Sequence, residues 1–215
     1  MKKIFVTTFN NTLYKKYAKK LIDSYISTKQ VLPLFCYVED DISNYPKHKD
    51  IHYLNLFDQQ PELYKFIKRN KDKHIETAKV SYILDAIRFS FKVFTQNDAR
   101  KYGDHIFFID ADTEFKQQIP EDWYNKCMED DIFVSLYDRL GYYTETGFIA
   151  FNNKILNKNN EKISNLFFQQ YLNYYLYDLI YCLPAFTDCH ALDATRSRFL
   201  FLRNITNEHG NYKEN

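Results

Sequence analysis

The stretch His105-Ile106-Phe107-Phe108-Ile109-Asp110-Ala111-Asp112-Thr113 stands near the middle of this 215-residue chain and decides its fold. Residues 105–109 form a continuous apolar run, which is typical of a strand buried on both faces of a parallel sheet. The run stops at Asp110, and a second carboxylate follows two residues later. The stretch therefore predicts a buried central strand with a pair of acidic side chains at its carboxyl end.

Asp110 and Asp112 are the predicted metal ligands. The carboxyl ends of parallel strands border the crevice in which such sheets bind ligands. Two carboxylates in an i, i+2 pair at that position can direct their oxygens to one hard cation, Mn²⁺ or Mg²⁺. Such a cation can bridge a diphosphate and neutralise the charge that develops on it. An Asp-x-Asp triplet also occurs by chance in many chains, and its place after a buried strand is what favours a metal site here.

The rest of the sequence predicts a single α/β domain. Strands are expected at residues 4–8 and 34–38, with a helix between them from Asn10-Asn11-Thr12 to about residue 27, a unit that favours a right-handed parallel crossover. Residues 42–75 look irregular, and residues 76–95 show helical periodicity. Further elements are expected as a short helix from Pro120, strands at 132–136, 147–152 and 199–203, and helices at 161–181 and 188–196. We expect a Rossmann-like, mostly parallel central sheet flanked by helices.

The composition excludes some classes of function. The chain has 29 basic and 28 acidic residues, so bulk charge does not hold it to nucleic acid or membranes, although a local patch could. Its four cysteines form no C-x-x-C pair, which favours a reducing compartment. The first residues lack the long apolar stretch of a signal peptide, and no run approaches the roughly 20 apolar residues of a membrane span. We expect a cytoplasmic protein of a bacterium or an infected host cell.

Four segments stand in order along the chain: Asp85-Ala86-Ile87-Arg88-Phe89-Ser90-Phe91-Lys92, Ile109-Asp110-Ala111-Asp112-Thr113, Glu145-Thr146-Gly147-Phe148 and Asp188-Cys189-His190-Ala191-Leu192-Asp193-Ala194-Thr195-Arg196. In this order they resemble glycosyltransferases of the GT-A fold, and more closely a group of small bacterial and phage glycosyltransferase-like proteins. The likeness is discontinuous and spans about residues 1–205. It implies one GT-A-like domain over residues 1–215, with a nucleotide-sugar-binding half at 1–112, an acceptor-side half at 113–205 and a polar tail at 206–215. It also implies a nucleoside-diphosphate sugar donor and a divalent metal.

Several residues are candidates for donor binding besides Asp110. Arg88 and Lys92 would lie on the donor diphosphate, where fixed cations match developing charge; the alternative is a solvated stripe of ion pairs on the helix surface. Thr7 and Thr8 at the end of the first strand, and Asp40 after the second, would read the base or ribose of the nucleotide. For these three residues, helix capping and an ordinary solvated turn are the alternatives.

Three further residues have candidate roles in catalysis or metal binding. Glu145 could be the general base that takes the acceptor proton, or a surface charge between strands. Asp188 could be a catalytic base or acceptor ligand, or simply the N-cap of a helix. His209 could complete the metal site, since neutral imidazole binds Mn²⁺, or it could be a solvated side chain of the tail.

The basic stretch at residues 64–74 carries interleaved aromatic side chains. It is interpreted first as a mobile solvated loop. The alternative is a contact with an anionic acceptor, either a phosphorylated glycan or DNA.

The sequence as a whole predicts a metal-dependent glycosyltransferase. It would move a sugar from a nucleoside-diphosphate sugar, with UDP favoured, to an acceptor hydroxyl on a glycan or a modified DNA base. One alternative is a metal-dependent nucleotidyl- or phosphoryl-transfer enzyme, which the absence of any glycine-rich phosphate loop disfavours. The other is a non-catalytic sugar-nucleotide-binding module. The sugar, the stereochemical outcome and the oligomeric state stay open.

Overall fold

The computed structural model describes residues 1–128, 132–137, 139 and 142–199. Six strands form one sheet: β1 (Lys3–Phe9), β2 (Leu34–Val38), β3 (Ile51–Asn55), β4 (His105–Ile109), β5 (Val134–Tyr137) and β6 (Glu145–Asn152). Eight α-helices accompany it within these ranges: α1 (Asn11–Leu13), α2 (Lys19–Ser27), α3 (Leu56–Gln59), α4 (Pro61–Ala78), α5 (Ala86–Ala99), α6 (Glu121–Cys127), α7 (Ile163–Leu176) and α8 (Asp188–Phe199). A π-helical turn at Tyr14–Ala18 joins α1 to α2.

The sheet has the strand order β3-β2-β1-β4-β6-β5. β1 pairs in parallel with β2 and β4, and β2 pairs in parallel with β3, whereas β6 runs antiparallel to both β4 and β5. The predicted mostly parallel α/β sheet is therefore confirmed. Because β6 is antiparallel, its first residues meet the carboxyl ends of β1, β2 and β4 at one edge of the sheet.

Both faces of the sheet are covered by helices, as the continuous apolar strands require. Alternate residues such as Val6 and Phe108 point toward α4, α5, α7 and α8, which we call the α5 face. The intervening Phe5 and Phe107 point toward α2 and α6, which we call the α6 face. Aromatic rings fill both layers in edge-to-face pairs, for example Phe107 with Tyr124 at 5.2 Å between ring centroids.

Residues 42–75, expected to be irregular, instead contain β3, α3 and most of α4. The interpretation of residues 64–74 as a mobile loop is likewise wrong, because they lie within α4. Pro61 supplies a favourable first residue for this helix, and Leu63, Phe66 and Asn70 bury its inner face at three- and four-residue spacing. The charged side chains between them hide this short apolar stripe in the sequence.

The helix expected over residues 76–95 is wrong in its first part. α4 ends at Ala78, a 3₁₀ turn occupies Tyr82–Leu84, and α5 begins only at Ala86. The Asp85 side chain accepts a hydrogen bond from the Arg88 backbone N–H at 3.0 Å and caps the new helix. Val80 is 78 % exposed, so its apparent periodicity does not mark a buried face.

The ends of the later helices differ from those expected, and part of the last predicted strand falls outside the described residues. α7 ends at Leu176, and Asp178 then takes a left-handed conformation with φ 58° before a 3₁₀ turn at Leu179–Cys182. α8 runs to Phe199, so this residue is helical and does not begin the strand expected at residues 199–203. The remainder of that strand and the tail lie outside the described residues. None of the helices described is both long enough and apolar enough to cross a membrane.

Candidate active site

The carboxylate pair lies at the edge where β4 ends. The Asp110 backbone N–H donates to the Gly147 carbonyl at 2.8 Å, which fixes the end of β4 against β6. The Thr113 N–H then donates to the Asp110 carbonyl at 3.0 Å and turns the chain immediately after the strand. Asp112 lies in this turn and is exposed, and its carboxylate makes no hydrogen bond or ion pair within the described ranges. Its oxygens are open to a ligand.

Lys92 on α5 reaches the same edge from the α5 face. Its Nζ lies 2.6 Å from Asp110 Oδ1 and 2.9 Å from Oδ2, and 3.8 Å from Asp188 Oδ2. Burial alone would lower the pKa of Lys92, but the carboxylates of Asp188, Asp110 and Asp112 together raise it above its ordinary value. The ammonium group is therefore held charged between carboxylates.

The pKa of the Asp110 carboxyl is also raised, which for an acid favours the neutral form. Burial raises the pKa of the Asp110 carboxyl, the Lys92 ammonium opposes this, and the nearby carboxylates of Asp188 and Asp112 add to the rise. Three carboxylates therefore surround one lysine. The edge carries an excess of negative charge that a bound cation would relieve.

Asp188 is brought to this cluster from a distant part of the chain. Its side chain is 1 % exposed, and Oδ2 accepts no hydrogen bond from any described residue. It occupies the first turn of α8, whereas Thr187, just before the helix, accepts from the His190 backbone N–H at 3.4 Å. Thr187 is thus the residue in the N-cap position, and the alternative of Asp188 as N-cap is wrong. The Lys92 ammonium is the cation nearest to the buried Asp188 oxygen.

Glu145 and Asp110 stand on either side of Gly147. Glu145 Oε1 accepts from the Gly147 backbone N–H at 2.8 Å, and its other oxygen pairs with Arg139. A Cβ atom at Gly147 would lie 3.1 Å from Glu145 Oε1 and 3.4 Å from Asp110 Oδ2. Glycine at this position therefore lets the two carboxylates approach the same piece of backbone.

The carboxyl ends of β1 and β2 form the neighbouring part of the edge. The Thr7 side chain is fully buried, and neither its hydroxyl nor that of Thr8 has a hydrogen-bond partner among the described residues. The Asp40 carboxylate accepts from the Asn11 N–H at 2.7 Å and also pairs with the Tyr45 hydroxyl. Asp40 thus ties the exit of β1 to that of β2, and the nucleotide-binding role of all three residues stays a prediction.

Glu39, next to Asp40, was not singled out by the sequence. Burial raises the pKa of its carboxyl to about 7, although the Asn10 amide donates to it at 3.2 Å and favours the charged form. The first residue of an acidic run carries no sequence signal for such a shift, because the cause is the packing around the strand end.

The structure places no partner beside Arg88 among the described residues and does not describe His209. Arg88 lies on α5 one turn before Lys92, is exposed, and its guanidinium has no ion pair or hydrogen bond to any residue that the structure describes. Its diphosphate-binding role stays a prediction. His209 lies outside the described residues.

A cleft of about 1120 Å³ opens beside the carboxylate pair. It runs from Asp110 and Asp112 along the loop of residues 113–119 to α6, β5 and β6. The aromatic side chains of Trp123, Tyr137 and Phe148 line it. Sequence reasoning missed all three, because they come from separate elements; a single tryptophan close after the Asp-x-Asp triplet was the available signal.

The basic stretch of residues 64–74 lies away from this cleft. Its helix, α4, packs on the α5 face, whereas the cleft is lined from the α6 face by Phe5, Phe115 and Trp123. Arg69 in this stretch is already used structurally: it pairs with Asp178 at 3.0 Å and donates to the Tyr175 carbonyl at 2.6 Å. The position of the stretch gives no support to a role in the cleft.

The residues present fit a divalent cation of a particular kind. No cluster of three or more histidine, cysteine, aspartate or glutamate side chains suited to a metal occurs in the described ranges. Asp110 and Asp112 alone supply hard oxygen donors, with the charge excess behind them. This suits Mg²⁺ or Mn²⁺, which is commonly held by one or two carboxylates and completed by substrate phosphates and water.

No protein-family profile and no curated protein sequence matches this chain. Solved structures resemble it at low sequence identity. The galactosyltransferase LgtC in complex with donor and acceptor sugar analogs has a TM-score of 0.53 and 12 % identity, over 94 % of this chain and 72 % of that one. The mannosyltransferase Ktr4p from S. cerevisiae has a TM-score of 0.50 and 13 % identity, over 95 % and 67 %.

The bifunctional glycosyltransferase WbbM has a TM-score of 0.53 and 12 % identity, over 94 % of this chain. The chain spans only 38 % of the length of WbbM. At these identities the likeness concerns the fold. The six-stranded sheet and its flanking helices therefore have the fold of the GT-A glycosyltransferases.

Proposed function

We propose that this chain is a metal-dependent glycosyltransferase that transfers a sugar from a nucleoside-diphosphate sugar, with a UDP-sugar as the favoured donor, to a hydroxyl group of a glycan. The observation that carries the proposal is the cluster at the end of β4. There, Asp110 and Asp112 face a large cleft, and among the described residues Lys92 is the one cation in contact with Asp110 and Asp188. The GT-A fold supports this chemistry for such a cluster.

Asp110 and Asp112 would hold Mn²⁺ or Mg²⁺. When bound, the cation neutralises charge on the donor diphosphate as the glycosidic bond breaks. Lys92 and Arg88 would supply further positive charge on the α5 side. Lys92 is held near the pair by its contact with Asp110 at 2.6 Å, so it can shift toward a phosphate without leaving the site.

Glu145 and Asp188 are the proposed acid–base residues. Glu145 lines the cleft beside Asp110, so its carboxylate can accept the proton of an acceptor hydroxyl whose oxygen attacks the anomeric carbon. Asp188 is buried behind Lys92 and does not line the cleft, so it would reach an acceptor as a base only if Lys92 moved aside. This role of a base applies to an inverting reaction, since a retaining reaction requires no strong base.

Turnover of the donor tests the proposal. The protein is incubated with UDP-, GDP- and CDP-sugars, with Mn²⁺ or with a chelator, and release of the nucleoside diphosphate into water is followed. We expect slow, Mn²⁺-dependent hydrolysis of a UDP-sugar that Asp112→Asn abolishes. The matched control is Asp23→Asn, which removes an exposed carboxylate paired with Lys19 on α2. Equal hydrolysis by Asp112→Asn, or hydrolysis independent of metal, would contradict the proposal.

A further inference from the structure

The cleft carries an aromatic surface formed by Trp123, Tyr137 and Phe148, which we call the aromatic wall. The ring centroids of Trp123 and Phe148 lie 5.4 Å apart, and those of Tyr137 and Phe148 lie 5.3 Å apart. All three side chains are only partly buried and line the cleft. We propose that the aromatic wall binds a neutral oligosaccharide, the acceptor of the reaction, by stacking against the apolar face of a sugar ring; this inference rests on the proposed function.

The position of the aromatic wall fits the acceptor rather than the nucleotide. The same cleft is lined by Asp110 and Asp112, so a sugar on the wall would lie next to the proposed site of transfer. Thr8 and Asp40, at the edge predicted to hold the nucleotide, do not line it. The carboxylate pair therefore stands between the two regions, as transfer from one ligand to the other requires.

The charges of the cleft favour a neutral ligand. The two cationic side chains among the described lining residues are each paired with a carboxylate: Lys116 with Glu114 at 2.8 Å, and Arg139 with Glu145. Asp112 has no partner within the described ranges, and Asp110 shares Lys92 with Asp188, so the charge left in the cleft is negative. The proposed cation would be shared with the donor diphosphate, so a phosphorylated glycan or a nucleic acid would still meet repulsion rather than an open cation, whereas the paired groups can still exchange hydrogen bonds with sugar hydroxyls.

The chemistry and size of the cleft also match a sugar chain. A sugar ring presents C–H groups on its faces and hydroxyls at its rim, and aromatic rings beside a few polar groups are the usual lining of such a ligand site. The indole N–H of Trp123 donates to no residue in the described ranges and is free for a hydroxyl. At about 1120 Å³ the cleft exceeds the space that one ring needs.

Trp123 is the only tryptophan of the chain, so its fluorescence reports directly on the aromatic wall. The intact protein is titrated with neutral disaccharides (lactose, maltose, cellobiose and N,N′-diacetylchitobiose), with glucose 6-phosphate, with UDP and with UDP-sugars. We expect a saturable change in indole emission with at least one neutral disaccharide, in the presence and absence of UDP, and none with glucose 6-phosphate.

Variants test the contact itself. Phe148→Ala and Tyr137→Ala are expected to weaken disaccharide binding by about tenfold, and Trp123→Ala to do the same in a calorimetric titration. The control is Tyr64→Ala, which removes an exposed aromatic ring of α4 far from the cleft and should leave binding unchanged.

Each contrary result points to a different failure. Emission changes with UDP-sugars but with none of the disaccharides would overturn the inference and assign the wall to the donor sugar. Changes only with anionic ligands, or with no ligand at all, would also overturn it. If donor hydrolysis persists while disaccharides fail to bind, the proposed function stands and this inference falls. If disaccharides bind but no nucleotide sugar is hydrolysed, the wall is a glycan site and the proposed function fails instead.

Discussion

Replacing Lys92 by methionine removes the one cation that the described structure places between Asp110 and Asp188. Methionine keeps most of the volume of the lysine stem, so the change isolates the charge. At an effective dielectric constant of about 20, unit charges at the two observed distances, 2.6 and 3.8 Å, attract by roughly 6 and 4 kcal/mol. The desolvation of Lys92, whose side chain is only 20 % exposed, offsets much of this attraction. Breaking a buried pair by removing one partner typically leaves a net loss of about 3–5 kcal/mol.

We therefore expect Lys92→Met to lower the free energy of unfolding by about 3 kcal/mol near neutral pH. Urea denaturation followed by circular dichroism measures this value. Lys126→Met is the control, because its pair with Asp122 is exposed on α6 and should contribute little. A loss below about 1 kcal/mol would refute the reasoning, since Asp188 would then need another partner. Mn²⁺ should raise the unfolding midpoint of the variant more than that of the native protein, because the cation relieves the same charge excess.

Three further changes have defined outcomes. Gly147→Ala places a Cβ 3.1 Å from Glu145 Oε1, a tight contact that moves this carboxylate, whereas its distance of 3.4 Å from Asp110 Oδ2 is an ordinary van der Waals contact. Sugar transfer to an acceptor should therefore slow while Mn²⁺ binding, measured by calorimetry, stays unchanged; an unchanged transfer rate would contradict the role of Glu145 as base. The folded-state pKa of Glu39, about 7, lies above its ordinary 4.5, so native stability falls as pH rises through this window. Glu39→Gln should then be more stable than the native protein by about 1–3 kcal/mol at about pH 8 and equal to it at about pH 4, and a pH-independent difference in urea unfolding would contradict this. Arg69→Ala removes the hydrogen bonds to Asp178 and to the Tyr175 carbonyl near the end of α7, and should lower the free energy of unfolding by about 1–3 kcal/mol, measured by thermal unfolding. No change in stability would mean that water replaces these bonds.

The sequence predicted the centre of the fold well because the signals there are local. β4 is buried on both faces, which gives the unbroken apolar run of residues 105–109, and Asp110 marks its end by a sharp change in polarity. β1, the helical segment after it and β2 follow from equally local patterns. By contrast, the sequence did not predict α4. Its buried apolar stripe consists only of Leu63 and Phe66, and the charged residues around them hide the helical periodicity.

The site was only partly predictable, because its geometry comes from residues far apart in the chain. The sequence named Asp110 from its place after a buried strand, and Lys92, Glu145 and Asp188 through the resemblance, but their contacts depend on the packing of α5, β4, β6 and α8. The aromatic wall was not predictable, since Trp123 comes together with the residues of β5 and β6 only after the sheet has formed. A pattern along the chain cannot show which aromatic side chains meet across a cleft.

Binding of UDP, measured calorimetrically in Mn²⁺ and in a chelator, tests the central claim most directly. The claim predicts that UDP binds the native protein with Mn²⁺ and fails to bind without it. Asp112→Asn should lose this metal-dependent binding, whereas Asp23→Asn should keep it. Equal binding of UDP with and without metal, or unaltered binding by Asp112→Asn, would contradict the assignment of Asp110 and Asp112 as the metal-binding pair.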